Sequence, residues 1–383
     1  MAFVYDTFVT GKNFIGRKAE SNAVRNLLGH GTSVCIYEPP KAGKMSVIQQ
    51  ALFNMRLSGV PFTAPQTDLF NCRDTRSLAL KLASSIIRSA ASTPAEYAGI
   101  IETMLKDTRF HFDQTAFSEN DEVVCLDGNP DRNDLDRLFR LPGEIAARTQ
   151  SPVFVIIKEF QSILDLGEDA SEEIFGIMEG ALAGRPDGEK GYSAWILTGS
   201  RVNAMKYIFE EKKYFHRLIE HIPLQQVDSR EIEDHMIRGF LTGGKVMEQD
   251  LAASVVRLFK GNLRYINHFS AICDSLSKGY MNEGIMMDAL NIILSVNEDR
   301  FKNTICSLTS HQLNFLKAIL DGEKKFSSVE VIGKYGLHSS ANVRRVKDAL
   351  RKKETITFDD KDEPVILDPL FEYWLSRFYF GKQ

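Results

Sequence analysis

The sequence predicts an α/β fold: a doubly wound parallel sheet, then a helical region, then three helices and a β hairpin at the C-terminus. Three observations carry that prediction. Apolar runs of strand length alternate with helical periodicity as far as about residue 224. No convincing strand follows between residues 228 and 300. Beyond residue 308, three helical segments precede two short β runs separated by an acidic turn.

Taken in order, residues 33–37 (SVCIY) form a short apolar strand, 38–44 a loop rich in Pro and Gly, and 45–56 a helix. Residues 67–72 read as a second strand and 77–92 as a helix. Residues 152–157 (PVFVII) are apolar throughout, as expected of a central parallel strand buried on both faces. Residues 194–198 and 219–224 read as further strands. Residues 108–134 interrupt the pattern with Phe110, Phe112, Phe117 and the run 122–127, which predicts a β-rich insertion. It is either a surface loop with its own apolar patch or a contact site for a protein partner. The expected division is a core over 1–227, a helical lid over 228–300 and a winged-helix domain over 301–383, with helices near 313–319, 328–335 and 340–353 and hairpin strands near 355–358 and 365–367.

Composition narrows the class. The chain has 383 residues, 43% hydrophobic and 26% charged, an ordinary globular profile long enough for two or three domains. No apolar run approaches the roughly 18 residues of a membrane span, and residues 1–11 show no secretory pattern. Five scattered cysteines without a CxxC pair argue against a disulfide framework or a zinc site, and fit a cytoplasmic setting. The net charge of −4 gives no global signal for nucleic acid.

The 38–45 loop carries half of the phosphate-binding pattern G-x-x-x-x-G-K-[ST], in its strand–loop–helix context. Gly43 and Lys44 are present. Glu38 stands at the first Gly, and Met45 at the hydroxyl that would ligate magnesium. Backbone N–H groups from Ala42 to Ser46, at a helix start, can attract an anion. Three further stretches lie at suitable distances: FIGRKAE (14–20), FVIIKEFQ (154–161) and ILTGS (196–200).

With these, GNLRYI (261–266) and LDPLFEYWL (367–375), nearly the whole chain resembles the archaeal-type ATPases of the AAA+ superfamily. These stand near the STAND ATPases and, more distantly, the origin-recognition ATPases. The resemblance implies a P-loop AAA+ core that binds ATP or ADP. It implies that Phe14, Ile15, Gly16 and Arg17 lie against the adenine, and that the loop Lys41, Ala42, Gly43, Lys44, Met45 and Ser46 holds the phosphates. Glu159 would polarise water, Ser200 would be the sensor, and Arg264 would reach the γ-phosphate. The family often has Pro where this chain has Leu263. It also leans on a magnesium held by a loop hydroxyl and a Walker B Asp. Met45 and Lys158 occupy those positions, and Ser46 is one residue late, so hydrolysis is doubtful and no metal site is expected. Lys158 is expected to pair with Glu38, or to stand in for magnesium against bound phosphates.

The last 83 residues carry 14 Lys and Arg against 11 Asp and Glu. The excess concentrates on the third helix, with Arg344, Arg345, Lys347, Arg351, Lys352 and Lys353. A helix-turn-helix places such a helix in the major groove, where basic groups bind phosphate and Ser339 or Asn342 could touch base edges. Against that stand the wing acids Asp359, Asp360, Asp362 and Glu363. The partners expected are thus a protein, through the winged helix or the 108–134 insertion, or DNA through the third helix, with oligomerisation also compatible. Two functions stay open: a nucleotide-sensing switch or scaffold with little or no hydrolysis, and a slow ATPase acting on or with DNA.

Overall fold

The computed structural model describes residues 3–184, 191–359 and 361–382; Asp360 lies outside the described residues. The chain forms two compact units. One, the sheet unit, comprises Ala19–Glu38 and Gln50–Leu224; the other, the lid–wing unit, comprises Met1–Lys18, Pro39–Gln49 and Gln225–Gln383.

From the N-terminus to Leu224 the elements are α1 (Lys18–Gly29), β1 (Ser33–Tyr37), α2 (Lys44–Leu57), β2 (Gln66–Asp68), α3 (Thr75–Ala90), α4 (Pro94–Met104), β3 (Phe110–His111), α5 (Gln114–Asn120), β4 (Cys125–Leu126), α6 (Arg132–Thr149), β5 (Val153–Lys158), α7 (Glu168–Ala183), β6 (Ser193–Gly199), α8 (Val202–Lys206) and β7 (Ile219–His221). The main sheet is parallel throughout, in the order β2-β5-β6-β1-β7. β1 and β6 are buried along their whole length and β5 as far as Ile157. That double-sided burial explains why their sequences lack polar alternation. Trp195, Phe154, Phe160 and Phe175 are among the largest fully buried side chains.

Two expectations are corrected. β2 ends at Asp68 rather than running to residue 72. The Asp68 carboxylate accepts from Phe70 N–H at 2.9 Å and Leu69 O accepts from Cys72 N–H at 3.0 Å, so the chain turns there. The 108–134 insertion is not β-rich. Only Phe110–His111 pairs with Cys125–Leu126, and α5 stands between them. Asp113 caps that helix, accepting from Thr115 and Ala116 N–H, a local bond that outweighs the β preference of the flanking aromatics. Helices α4 and α6 were not anticipated, although each opens on a capping box, Thr93 with Glu96 and Asp131 with Asp134.

The lid–wing unit continues with α9 (Ser229–Thr242), α10 (Gln249–Leu258), α11 (Leu263–Leu276), α12 (Glu283–Cys306), α13 (Ser310–Leu320), α14 (Val329–Tyr335), α15 (Ser340–Lys352), β8 (Ile356–Phe358), β9 (Pro364–Ile366) and α16 (Pro369–Trp374). α13 to β9 is a winged helix, with the wing paired Ile356 to Ile366 in antiparallel register. Its turn is internally bonded: the Asp359 carboxylate accepts from Lys361 and Glu363 N–H, and Lys324 pairs with Glu363 at 3.0 Å.

One apolar cluster runs from the lid into the winged helix through Phe240, Phe269, Phe301, Phe315 and Trp374. Phe3 belongs to it, packed 4.8 Å from Phe240 between ring centroids. Gly239 makes room for that ring, since a Cβ there would lie 2.5 Å from it. Asn267 donates to Val4 O at 3.0 Å, and Tyr5 stacks on His268. Residues 3–5 therefore form an arm strapped along the lid.

Candidate phosphate-binding site

The phosphate loop is a tight turn at the start of α2. Ala42 N–H donates to Pro39 O at 3.2 Å, and Lys41 and Gly43 both adopt positive φ. The helix ladder begins with Val47 N–H to Gly43 O at 3.2 Å. Amides earlier in that first turn, those of Met45 and Ser46, precede the ladder and remain donors suited to an anion. Ala42 N–H, expected among them, is instead committed to closing the turn. Lys44 is buried, and its Nζ donates to Pro39 O at 3.0 Å.

The arm returns to this loop. Val9 N–H donates to Ser46 Oγ at 3.2 Å. Arg17 donates from its guanidinium to Ala42 O and, at 3.3 Å, to Gln225 O. Gly16 has φ +61° and a Cβ there would strike Val227 at 2.5 Å, so the position admits only glycine. Its N–H donates to Glu231 at 2.9 Å. Arg17 is thus a brace of the loop backbone. Phe14 and Ile15 are half-buried, Phe14 closing a short turn with Gly11.

Arg264 stands on the first turn of α11, behind the cap formed when Asn262 accepts from Tyr265 N–H. Its Nε is buried without a hydrogen-bond partner among the described residues, and its guanidinium lies 5.8 Å from the centre of the Tyr265 ring. Burial lowers the pKa of Arg264, and Arg300 adds to the lowering. Burial also lowers that of Lys41, with Arg264 and Arg300 contributing. Lys41, Arg264 and Arg300 therefore form a mutually repelling cation group. Among the described residues, Arg300 alone of the three has a paired carboxylate, Asp368 at 2.7 Å.

The Walker B-like strand end lies in the sheet unit. Lys158 pairs with Asp68 at 3.2 Å, not with Glu38. The parallel register sets Asp68 opposite Lys158, a pairing no local sequence pattern could reveal. Glu159 has positive φ and its carboxylate accepts from Gln161 at 2.6 Å and from Ser200 Oγ. Glu159 and Ser200, on neighbouring strand ends, are thus in hydrogen-bond contact. Magnesium wants oxygen ligands in near-octahedral geometry. Met45 offers a thioether, and Lys158 an ammonium already held by Asp68. Neither side chain, by its own chemistry, is a magnesium ligand.

On α15, Arg344 and Arg345 are exposed. Lys347 lies over the Phe326 and Phe358 rings, at 5.3 and 5.7 Å from their centres. Ser339 caps the helix by accepting from Asn342 N–H, and Asn342 Nδ2 donates to Leu337 O at 3.0 Å. The two residues expected to reach base edges thus also serve the local backbone.

Residues 299–377 match the family model described as "Probable winged helix domain". No curated protein matches the sequence. Among solved structures, the chain resembles the Walker-type ATPase of Pyrococcus abyssi with TM-score 0.68 and 16% identity, over 98% of this chain and 99% of that one. It resembles the ORC2 protein of Aeropyrum pernix, in ADPNP–ADP complexes, with TM-score 0.58 and 16% identity, over 94% and 93%. At such identities the likeness shows the fold alone: a parallel-sheet core followed by a helical lid and a C-terminal winged helix.

Proposed function

We propose that this chain is a nucleotide-sensing switch that binds ATP or ADP without magnesium and with negligible hydrolysis. The observation that carries the reading is the buried, unmatched Nε of Arg264 beside Lys41, in the unit that also holds the phosphate loop and Lys44. Buried cationic donors left without an acceptor are costly, and a polyphosphate would relieve that cost. Phe14, Ile15 and Gly16 are assigned to the base side, and Lys41 to Ser46 to the phosphates. The chain is divided into a core (1–227), a lid (228–300) and a winged helix (301–383).

A route from ligand to winged helix is built in. Next to Arg264, the Tyr265 hydroxyl donates to Asp368 at 3.0 Å, and Asp368 caps α16. Arg300 holds the same carboxylate, and Lys260 pairs with Glu372 at 2.6 Å. A phosphate drawing on Arg264 would act one residue from this clamp. The output is then a protein contact through the winged helix or the 108–134 insertion, in a cytoplasmic setting and compatible with oligomerisation.

The test is calorimetric titration of ATP into the full chain, once with magnesium and once with a chelator. The expected dissociation constants agree within threefold. A loss of tenfold or more on chelation, about 1.4 kcal/mol, contradicts the reading.

A second reading rests on the exposed Arg344 and Arg345 of α15: a slow ATPase acting with DNA. It gains support from the wing, where Glu363 is tied to Lys324 and Asp359 is engaged by the turn. Duplex binding measured by fluorescence anisotropy would fall steeply with salt, with a slope near −0.9 per phosphate contact. Replacing Arg344, Arg345 and Lys347 with Ala would weaken it at least tenfold at low salt. Unchanged binding by the triple variant removes DNA as the partner.

A further inference from the structure

We infer that His268 is a second anion-binding side chain of the lid, acting with Arg264 and Lys41 on the polyphosphate of a nucleotide. The inference rests on the function proposed above and adds to it a ligand-contacting residue and a pH dependence.

His268 lies four residues after Arg264 on α11, so the two side chains share one face of the helix. Both carry a buried ring or guanidinium nitrogen with no hydrogen-bond partner among the described residues, His268 Nδ1 and Arg264 Nε. Two orphaned donor-capable nitrogens one turn apart, beside Lys41, form a cluster whose missing element is an acceptor. A buried polar group left unmatched is costly, and a bound anion would offset that cost.

The ring is also held in place. Tyr5 of the N-terminal arm stacks on it, 4.2 Å between centroids and 10° between planes. Phe3 in the lid core and the Asn267 bond to Val4 O anchor the residues just before Tyr5. The arm thereby fixes the imidazole on the face it shares with Arg264.

The groups around His268 are known from each element. Its own helix supplies Arg264, the loop supplies Lys41, and the arm supplies Tyr5. From α9 comes His235, which is bonded to Asn267, and α12 supplies Arg300, which acts on both Lys41 and Arg264. Asp368, at the start of α16, adds a carboxylate that acts on Arg264 and is already paired with Arg300. Burial, then Arg264 and Lys41, hold the His268 pKa below its ordinary value, so the free protein carries it neutral at pH 7. A polyanion between these groups offsets both cations and raises that pKa. Binding then takes up a proton, and affinity rises as pH falls through the window between the free and bound values.

The experiment measures ATP affinity in chelator at pH 5.8 and pH 7.8, for the unaltered chain, His268→Gln and Lys44→Ala. ATP loses charge on acidification in every sample, so that effect cancels between variants. The expected result is that the unaltered chain gains at least fivefold more affinity on acidification than His268→Gln. If ATP binds in a Lys44-dependent manner but His268→Gln keeps the full pH response, the assignment of His268 fails while nucleotide binding stands. If no sample binds ATP at either pH, the proposed function fails and this inference with it.

Discussion

Lys44→Ala is expected to weaken ATP binding at least a hundredfold, about 2.7 kcal/mol. The ammonium is buried and held by Pro39 O, the loop's own backbone, so it is already placed where the turn presents its donors. A charged hydrogen bond in such a setting is worth roughly 1.5–3 kcal/mol. On the proposed magnesium-free binding, Lys44 carries more of the phosphate charge. Lys44→Met serves as the control, because it keeps the buried stem and removes only the charge. The measurement is calorimetric titration of each variant beside a thermal melt. A Lys44→Met variant that melts normally and binds ATP within threefold of the unaltered chain would show that the loop is not the phosphate site.

The second large effect is a gain. Met45→Thr together with Lys158→Asp restores the oxygen ligands found in the family that the chain resembles, where both serve one metal. ATP binding by the double variant should become at least tenfold tighter in magnesium than in chelator, and phosphate release should appear. Either single change should yield less than a third of that response. The structure adds a reason to expect a folded variant. The Lys158–Asp68 pair is partly solvent-exposed, and such pairs contribute roughly 0–1 kcal/mol. Lys158→Asp would also face Asp68 with a second carboxylate, which favours a cation there. A double variant that melts normally and still binds ATP equally with and without magnesium would show that these two positions do not govern metal use.

Much of the fold was legible because burial on both faces leaves a plain mark. The runs at 34–37, 153–157 and 194–197 are apolar, and all three lie in inner strands of the sheet. The winged helix was legible for a different reason: three helical periods and a turn are local signals. The insertion failed because Asp113 caps a helix within a stretch whose aromatic residues favour strands. Site residues divided in the same way. Lys44 and Arg264 sit in recognisable local patterns. The partner of Lys158 depended on the β2–β5 register, which sequence reading could not supply. The arm left no mark at all, since Asn267 meets Val4 across 263 residues and Phe3 packs into a lid formed more than 200 positions later. His268 was missed for that reason: only the folded arm and helix reveal its unmatched nitrogen and its stacked ring.

The central claim is that this chain holds a nucleotide without turning it over. It is tested most directly by following phosphate release from ATP with magnesium, on the same preparation whose ATP binding has been measured by calorimetry. The account predicts saturable binding, lost in Lys44→Ala, with phosphate release no faster than in a protein-free control. Steady turnover by the unaltered chain that disappears in Lys44→Ala would contradict it.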